Sequence, residues 1–164
     1  MKGLAKSFVY AFRGLKYCIV NERNMRIHIC FAAYMFGFLT VHDFFEVSRT
    51  QLAVLFAVCA LVIALEAVNT AVERAVDLSA KERNSAAGAA KDAAAGAVLA
   101  AAVGSVAVGL AILYQPQAFA KMAEYYKAHT PELAVLIVSV AASLVFVFAG
   151  PCKIKDFFIK RNKN

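Results

Sequence analysis

The chain has 164 residues, of which 62% are hydrophobic, with 13 Phe and no Trp, whereas soluble domains are usually about 45–50% apolar. Only 18% of the residues are charged, yet the net charge is +7. This combination excludes a disordered chain and indicates a membrane protein with basic flanks. Because the basic residues follow the ends of apolar segments, we attribute them to topology and anionic lipid, and we expect no nucleic-acid partner.

The N-terminal segment, residues 2–26, is too charged to cross a bilayer. Apolar residues recur in it at helical intervals of three and four, with basic side chains available to face lipid phosphates. This pattern predicts an amphipathic helix on the membrane surface, and an amphipathic helix packed on protein fits it equally well. The apolar positions are Leu4, Phe8, Phe12, Leu15 and Ile19.

Four later segments approach the roughly 20 apolar residues that a bilayer-spanning helix needs. The first contains His28, His42 and Asp43 and is the least apolar. Four spans place fifteen of the 18 Lys and Arg residues on one side, whereas three spans would put the basic C-terminal tail outside. We therefore predict both termini on the cytoplasmic side. The predicted spans are 27–45, 52–72, 93–114 and 133–149.

The fold class predicted from these segments is an all-α membrane protein. Residues 1–115 form a core of one surface helix and three spans. Residues 116–164 add an external connection, a fourth span and a basic cytoplasmic tail.

A stripe of polar side chains follows one face of the second span. Since ionisable groups inside a span are costly, they are candidates for function. Glu66 and Glu73 are two helical turns apart, so the outer carboxylate can hold a divalent cation while the deeper one takes a proton from a membrane-borne hydroxyl. The alternative is a stripe that holds helices together. We favour function because no Lys or Arg lies within the predicted span. The stripe comprises Glu66, Asn69, Thr70, Glu73 and Asp77.

Three further charged residues lie outside the spans. Lys91 and Asp92 precede the third span, where Lys91 can contact nucleotide phosphate or simply pair with Asp92 at the interface. Glu22 is either a second metal ligand or a solvated surface charge. The chain has no G-x-x-x-x-G-K-[ST] loop, no protein-kinase motif set and no dinucleotide fingerprint. Soluble kinase folds are therefore excluded.

The stripe reads Glu66-Ala-Val-Asn69-Thr70-Ala-Val-Glu73-Arg-Ala-Val-Asp77, which follows the pattern E-x-x-N-[ST]-A-x-E-x-x-x-D. With it come Tyr10-Ala-Phe-Arg-Gly-Leu-Lys16, Asn21-Glu-Arg-Asn-Met-Arg26 and Ala90-Lys-Asp92, in order. On these motifs the chain resembles the prokaryotic integral-membrane diacylglycerol kinase and undecaprenol kinase family, over about residues 5–115. It looks like a Gram-positive-type member with an extra C-terminal span.

The resemblance implies ATP-dependent, Mg²⁺-dependent phosphorylation of a lipid hydroxyl by a homotrimer in the bacterial cytoplasmic membrane. It implies that the active sites lie between protomers near the cytoplasmic face. Glu66 corresponds to the catalytic base, and Glu22 and Glu73 to Mg²⁺ ligands that also contact the nucleotide. Asn69 and Asp77 correspond to supporting residues. The remaining expected nucleotide contacts are Tyr10, Glu82, Lys91 and Asp92; the segment Glu82-Arg83-Asn84 departs from the Glu-Tyr-His common in relatives.

The motifs indicate the reaction more specifically than the lipid substrate. The basic Glu22–His28 stretch resembles members that prefer undecaprenol, which makes this polyprenol the first choice and diacylglycerol a close second. A four-span transporter that uses Glu66 as a proton or cation site remains the alternative function. It explains less well the group of charged residues at the cytoplasmic end of the spans. In a scaffold without catalysis, the stripe would only hold helices together.

Overall fold

The computed structural model describes residues 2–79 and 85–161, which form six α-helices. Their order follows the apolar segments of the sequence. The helices are α1 (Lys2–Asn21), α2 (Arg23–Val41), α3 (Arg49–Ser79), α4 (Ser85–Leu113), α5 (Pro116–Ala128) and α6 (Thr130–Arg161).

Four of the helices are long and apolar enough to cross a membrane: α2, α3, α4 and the Thr130–Cys152 part of α6. The prediction of an all-α chain with four candidate spans is therefore confirmed. Large apolar side chains stay exposed along these helices, among them Phe56, Leu99 and Val138. Such a surface suits lipid or further copies of the chain rather than water.

Two helix boundaries differ from the sequence prediction. The predicted surface helix 2–26 is interrupted at Glu22, whose backbone is extended, with φ −101° and ψ 121°. The first span, predicted over 27–45, ends at Val41 because the chain turns at His42, where the imidazole stacks on Phe44 with 4.6 Å between ring centroids. Tyr125 of α5 lies edge-on to His42 at 5.1 Å, so aromatic packing stabilises this turn.

The helices pack in a row. The hairpin of α3 and α4 forms the most extensive contact, α2 packs on α3, and α6 packs on the other side of α2. The surface helix α1 touches α2, α3 and α6, whereas α5 packs on α6. Between α2 and α6, the Tyr34 hydroxyl lies 3.1 Å from Ser139 Oγ and 3.0 Å from Ser143 Oγ. This arrangement leaves the polar stripe of α3 facing the junction of α1 and α2.

Candidate active site

The deeper residues of the polar stripe on α3 are buried in the protein. Glu66 is 2% exposed and Thr70 is 3% exposed, while Asn69 and Glu73 are half-buried. The Thr70 hydroxyl donates to the carbonyl oxygen of Glu66 at 3.0 Å, so it is satisfied by its own helix. The Glu66 carboxylate is then a buried acidic group that requires partners from elsewhere.

Those partners come from the break between α1 and α2. The carboxylate of Glu22, at the break, and that of Glu73, on α3, both interact electrostatically with Glu66. The side-chain amide of Asn24 is also close enough to interact with the Glu66 carboxylate. The interruption of the surface helix thus brings Glu22 to the stripe, although 44 positions of sequence separate it from Glu66.

Asn69 connects the stripe to the outer carboxylate. Its Nδ2 donates to Glu73 Oε1 at 3.0 Å. Its Oδ1 is buried and has no hydrogen-bond partner within the described part of the chain. Buried polar atoms in native proteins are almost always paired, so this oxygen is suited to accept a hydrogen bond from a bound ligand or to bind a cation.

Lys91 and Asp77 form an ion pair at the end of the α3–α4 hairpin. Lys91 Nζ lies 2.7 Å from Asp77 Oδ1. Glu73 and Arg74 also interact electrostatically with Lys91. The basic side chain therefore lies beside the outer carboxylate of the stripe, where it can meet the phosphates of a nucleotide.

The other expected nucleotide contacts are placed less centrally. Tyr10 is 62% exposed on α1, with the guanidinium carbon of Arg13 5.8 Å from its ring centroid. Asp92 is exposed on α4 beside Lys91, and Glu82 lies outside the described residues. The predicted site residues that come together are Glu22, Glu66, Asn69, Glu73, Asp77 and Lys91.

Two residues near the site were given no role by the sequence reasoning. Asn24 approaches Glu66, and Arg26 is buried, 6% exposed, directly behind the break that carries Glu22. Nothing in the local sequence distinguishes Arg26 from Arg23, which is exposed. The buried position of Arg26 depends on α6, far along the chain, so the signal for it lies in the tertiary structure.

The oxygen atoms of the site fit Mg²⁺. Among the described residues, no three His, Cys, Asp or Glu side chains are grouped so as to hold a metal ion by themselves. Mg²⁺ is usually bound by one or two carboxylates together with substrate phosphates and water. The carboxylates of Glu22 and Glu73, both near Glu66, and the unpartnered Oδ1 of Asn69 are oxygen donors of this kind.

An apolar groove begins beside the site and follows the membrane-spanning helices. Its nearer part, a cavity of about 160 Å³, is lined by His28 and Val62, which lie one helical turn from Asn24 and Glu66. Its farther part, of about 270 Å³, ends near Phe119 of α5. The two parts share Phe31, Cys59, Ser105 and Val106, so they adjoin each other. The nearer end of the groove therefore lies about one helical turn along α3 from Glu66.

Three known proteins have sequences similar to this chain. Undecaprenol kinase of Bacillus subtilis is 40% identical over 109 residues, which are 65% of this chain and 85% of that protein. Diacylglycerol kinase of Synechocystis is 39% identical over 114 residues, covering 69% of this chain and 63% of that protein. Diacylglycerol kinase of Haemophilus influenzae is 37% identical over 89 residues, covering 54% and 73% respectively.

The family model described as prokaryotic diacylglycerol kinase matches residues 9–113. That range contains α2, α3 and α4, most of α1, and the whole carboxylate cluster described above. The helix α6 lies beyond it. The match and the similarity confirm the resemblance carried by the motifs: the chain belongs to the prokaryotic diacylglycerol kinase family of membrane lipid kinases.

Proposed function

We propose that this kinase transfers the γ-phosphate of ATP to the hydroxyl of undecaprenol, with diacylglycerol as the second candidate. The observation that carries the proposal is the position of Glu66. Its carboxylate is buried near those of Glu22 and Glu73, and Val62, one helical turn along α3, lines the nearer part of the apolar groove. A lipid hydroxyl and a nucleotide phosphate can therefore meet at this carboxylate.

The reaction needs a base for the hydroxyl proton. Glu66 accepts that proton as the lipid oxygen attacks the γ-phosphorus, the bond to the β-phosphate oxygen breaks, and ADP leaves. Because the lipid oxygen is the nucleophile in this step, the transfer is direct and requires no phosphorylated enzyme. Glu66 then releases its proton to solvent along the polar stripe.

Glu22 and Glu73 are the proposed holders of Mg²⁺, with Asn69 orienting Glu73 through its hydrogen bond. When bound, the ion supplies positive charge that offsets the negative charge of the β- and γ-phosphates. Lys91 supplies a further positive charge to the nucleotide, and Asp77 determines where that charge lies.

The choice of undecaprenol rests on the relatives and on the segment at the break. The Bacillus subtilis relative, covered over 85% of its length, is an undecaprenol kinase. The two diacylglycerol kinases are covered over 63% and 73% of theirs, which keeps diacylglycerol as the second candidate. The apolar groove accommodates either lipid tail, because its lining offers few polar groups that could distinguish them.

We also propose that both termini are cytoplasmic and that the chain works as a homotrimer. The clustering of Lys and Arg at one end of the spans supports the orientation. The exposed apolar surface of α4, which is rich in Ala and Gly, supports close packing between copies. Chemical cross-linking in micelles should give monomer, dimer and trimer bands that end at the trimer.

Transfer of labelled γ-phosphate from ATP, measured in mixed micelles with undecaprenol and diacylglycerol in parallel, tests the proposal. We expect wild-type protein to label lipid only when Mg²⁺ is present. The variant Glu66→Gln preserves shape and should lose on the order of 10²–10⁴-fold in turnover. The matched control is Glu132→Gln, which changes an exposed carboxylate in the first turn of α6 and should retain full activity.

Near-normal turnover in Glu66→Gln would remove this residue from the role of base. If folded wild-type protein labels neither lipid, the proposed substrates are wrong. Stabilisation against thermal unfolding by MgATP would then still indicate a kinase. Proton-coupled solute flux in liposomes, with no nucleotide effect, would indicate a transporter instead.

A further inference from the structure

Arg26 joins three helix ends through one buried guanidinium group. Its Nη1 donates to the carbonyl oxygens of Ile19 and Val20, both at 3.0 Å, in the last turn of α1. Its Nε donates to the carbonyl oxygen of Val147 in α6 at 3.1 Å. A buried charge is tolerated only when it is well hydrogen-bonded, so Arg26 depends on both helices presenting these carbonyls.

The carbonyl groups that Arg26 binds have no backbone amide to pair with. In a continuous helix, Val147 would accept a hydrogen bond from the amide of residue 151, but residue 151 is proline and has no N–H. The break at Glu22 likewise ends α1 before the residues that would pair with Ile19 and Val20. The guanidinium therefore satisfies oxygens that the backbone leaves unpaired.

The bend in α6 is shaped around the same group. Gly150 has φ 72° and ψ 160°, outside helical geometry, immediately before Pro151. A Cβ added at Gly150 would lie 3.4 Å from both Cζ and Nη2 of Arg26. Glycine is favoured here by the positive φ, and a Cβ at this position would be in van der Waals contact with the guanidinium.

The junction that Arg26 fixes is the one that presents Glu22 to the site. Glu22 occupies the N-cap position of α2, one helical turn before Arg26, and its backbone amide donates to the carbonyl oxygen of Cys18 at 2.8 Å. Cys18 and Met25 are buried on either side of the break, at 5% and 0% exposure. The direction of the Glu22 carboxylate toward Glu66 is therefore set by how α1 is locked to α2.

We infer that α6 braces the active site, with Arg26 as a positioning residue that holds the break between α1 and α2 and so places Glu22. This inference rests on the proposed function in one respect, namely that Glu22 and Glu73 hold Mg²⁺. It gives the fourth span a role that the family match over residues 9–113 does not contain. Among the described residues, α6 reaches this junction through the carbonyl of Val147, which Arg26 binds, and does not line the site.

Two variants weaken the contacts of Arg26 with α1 and α6 in different ways. Arg26→Lys keeps the charge, but a single ammonium cannot reproduce the planar fork that reaches both helices. Gly150→Ala keeps Arg26 and disturbs only the bend in α6, so it carries the test if Arg26→Lys does not fold. The matched control is Tyr34→Phe, which removes a different link between α2 and α6, the hydrogen bonds of Tyr34 with Ser139 and Ser143.

Three measurements test the inference: hydrogen exchange without ligand, the Mg²⁺ dependence of transfer, and Mn²⁺ binding. Hydrogen exchange in the ligand-free full chain should become about tenfold faster at residues 18–25 in both brace variants and stay unchanged there in Tyr34→Phe. The Mg²⁺ concentration for half-maximal transfer should rise roughly tenfold, with the KM for lipid within about twofold of wild type. Binding of Mn²⁺ beside a non-hydrolysable ATP analogue, followed by electron paramagnetic resonance, should weaken by the same factor.

Unchanged exchange at residues 18–25 in both variants would overturn the inference that α6 and Arg26 hold the break between α1 and α2. Faster exchange with unaltered Mg²⁺ and Mn²⁺ dependence would overturn the positioning role, as would an equal effect of Tyr34→Phe. Absence of transfer by wild-type protein is a failure of the proposed function alone, because exchange and Mn²⁺ binding still decide the inference.

Discussion

Lys91 Nζ lies 2.7 Å from Asp77 Oδ1 and so connects the last turns of α3 with the first turns of α4. The two side chains are 36% and 57% exposed, and ion pairs in such positions contribute little to stability. The pair instead determines where the ammonium group lies relative to Glu73, with which Lys91 also interacts. The motif defined the role of Asp77 only loosely; the ion pair indicates that Asp77 positions Lys91.

Replacing Asp77 with Asn should raise the KM for ATP about three- to tenfold, because Lys91 is no longer held beside Glu73. The thermal unfolding temperature should not change. Initial rates at varied ATP, with lipid saturating, measure the effect, and Lys91→Met serves as the variant that lacks the charge altogether. An ATP dependence identical to wild type would show that Asp77 does not position Lys91.

The variant Asn69→Leu should lower turnover by at least tenfold while leaving stability within about 1 kcal/mol of wild type. The change removes the donor that orients Glu73, but it also removes an oxygen that already lacks a partner. Lipid phosphorylation and thermal unfolding of the same preparations measure the two effects. The neighbouring control Thr70→Val loses only a bond to its own helix and should keep activity; equal losses in both would indicate general disruption.

Filling the apolar groove should weaken lipid binding. Gly109→Leu adds a side chain where a Cβ meets no neighbouring atom but where the cavity of about 270 Å³ must accept it. We expect the KM for lipid to rise by about tenfold, with the KM for ATP unchanged. Gly104, on the same helix, is exposed, has equally free space and does not line the groove, so Gly104→Leu is the matched control. Equal lipid KM values in the two variants would contradict a lipid in the groove.

Cys152 reports on orientation, since it is exposed at the end of the fourth span. In a variant that retains it as the single cysteine, a membrane-impermeant maleimide should label inverted membrane vesicles and not intact cells. A cysteine placed at Lys127, exposed on α5, should show the opposite pattern. Labelling of Cys152 in intact cells would overturn the proposed cytoplasmic C-terminus.

The local part of the site follows from helical spacing. Residues 69 and 73 are one turn apart, so the bond between Asn69 and Glu73 is a direct result of their positions on α3. Glu66 and Thr70 have the same spacing, and both are buried on the face that the stripe predicts. These relationships need only one helix, which is why the sequence predicts them.

The break at Glu22 could not be predicted in the same way. The apolar repeat of α1 continues to Ile19, and the next residues are acceptable in a helix, so the sequence favours one helix to residue 26. At the break, Arg26 binds the carbonyls of Ile19 and Val20 in α1 and that of Val147, which lies 121 positions away in α6. Contacts at such separation leave no trace in local periodicity. The same applies to the turn at His42, whose ring packs edge-on against Tyr125 of α5.

The bond between Arg26 and Val147 also bears on biosynthesis. A ribosome makes residue 147 long after residues 22 and 66 have entered the membrane, since Arg26 and its partner are 121 positions apart. During that interval the guanidinium has no carbonyl from α6, and the segment bearing Glu22 is free to move. We therefore expect nascent chains that stop short of α6 to insert normally but to hold Glu22 loosely, so that they need more Mg²⁺ for transfer than chains that include the last span.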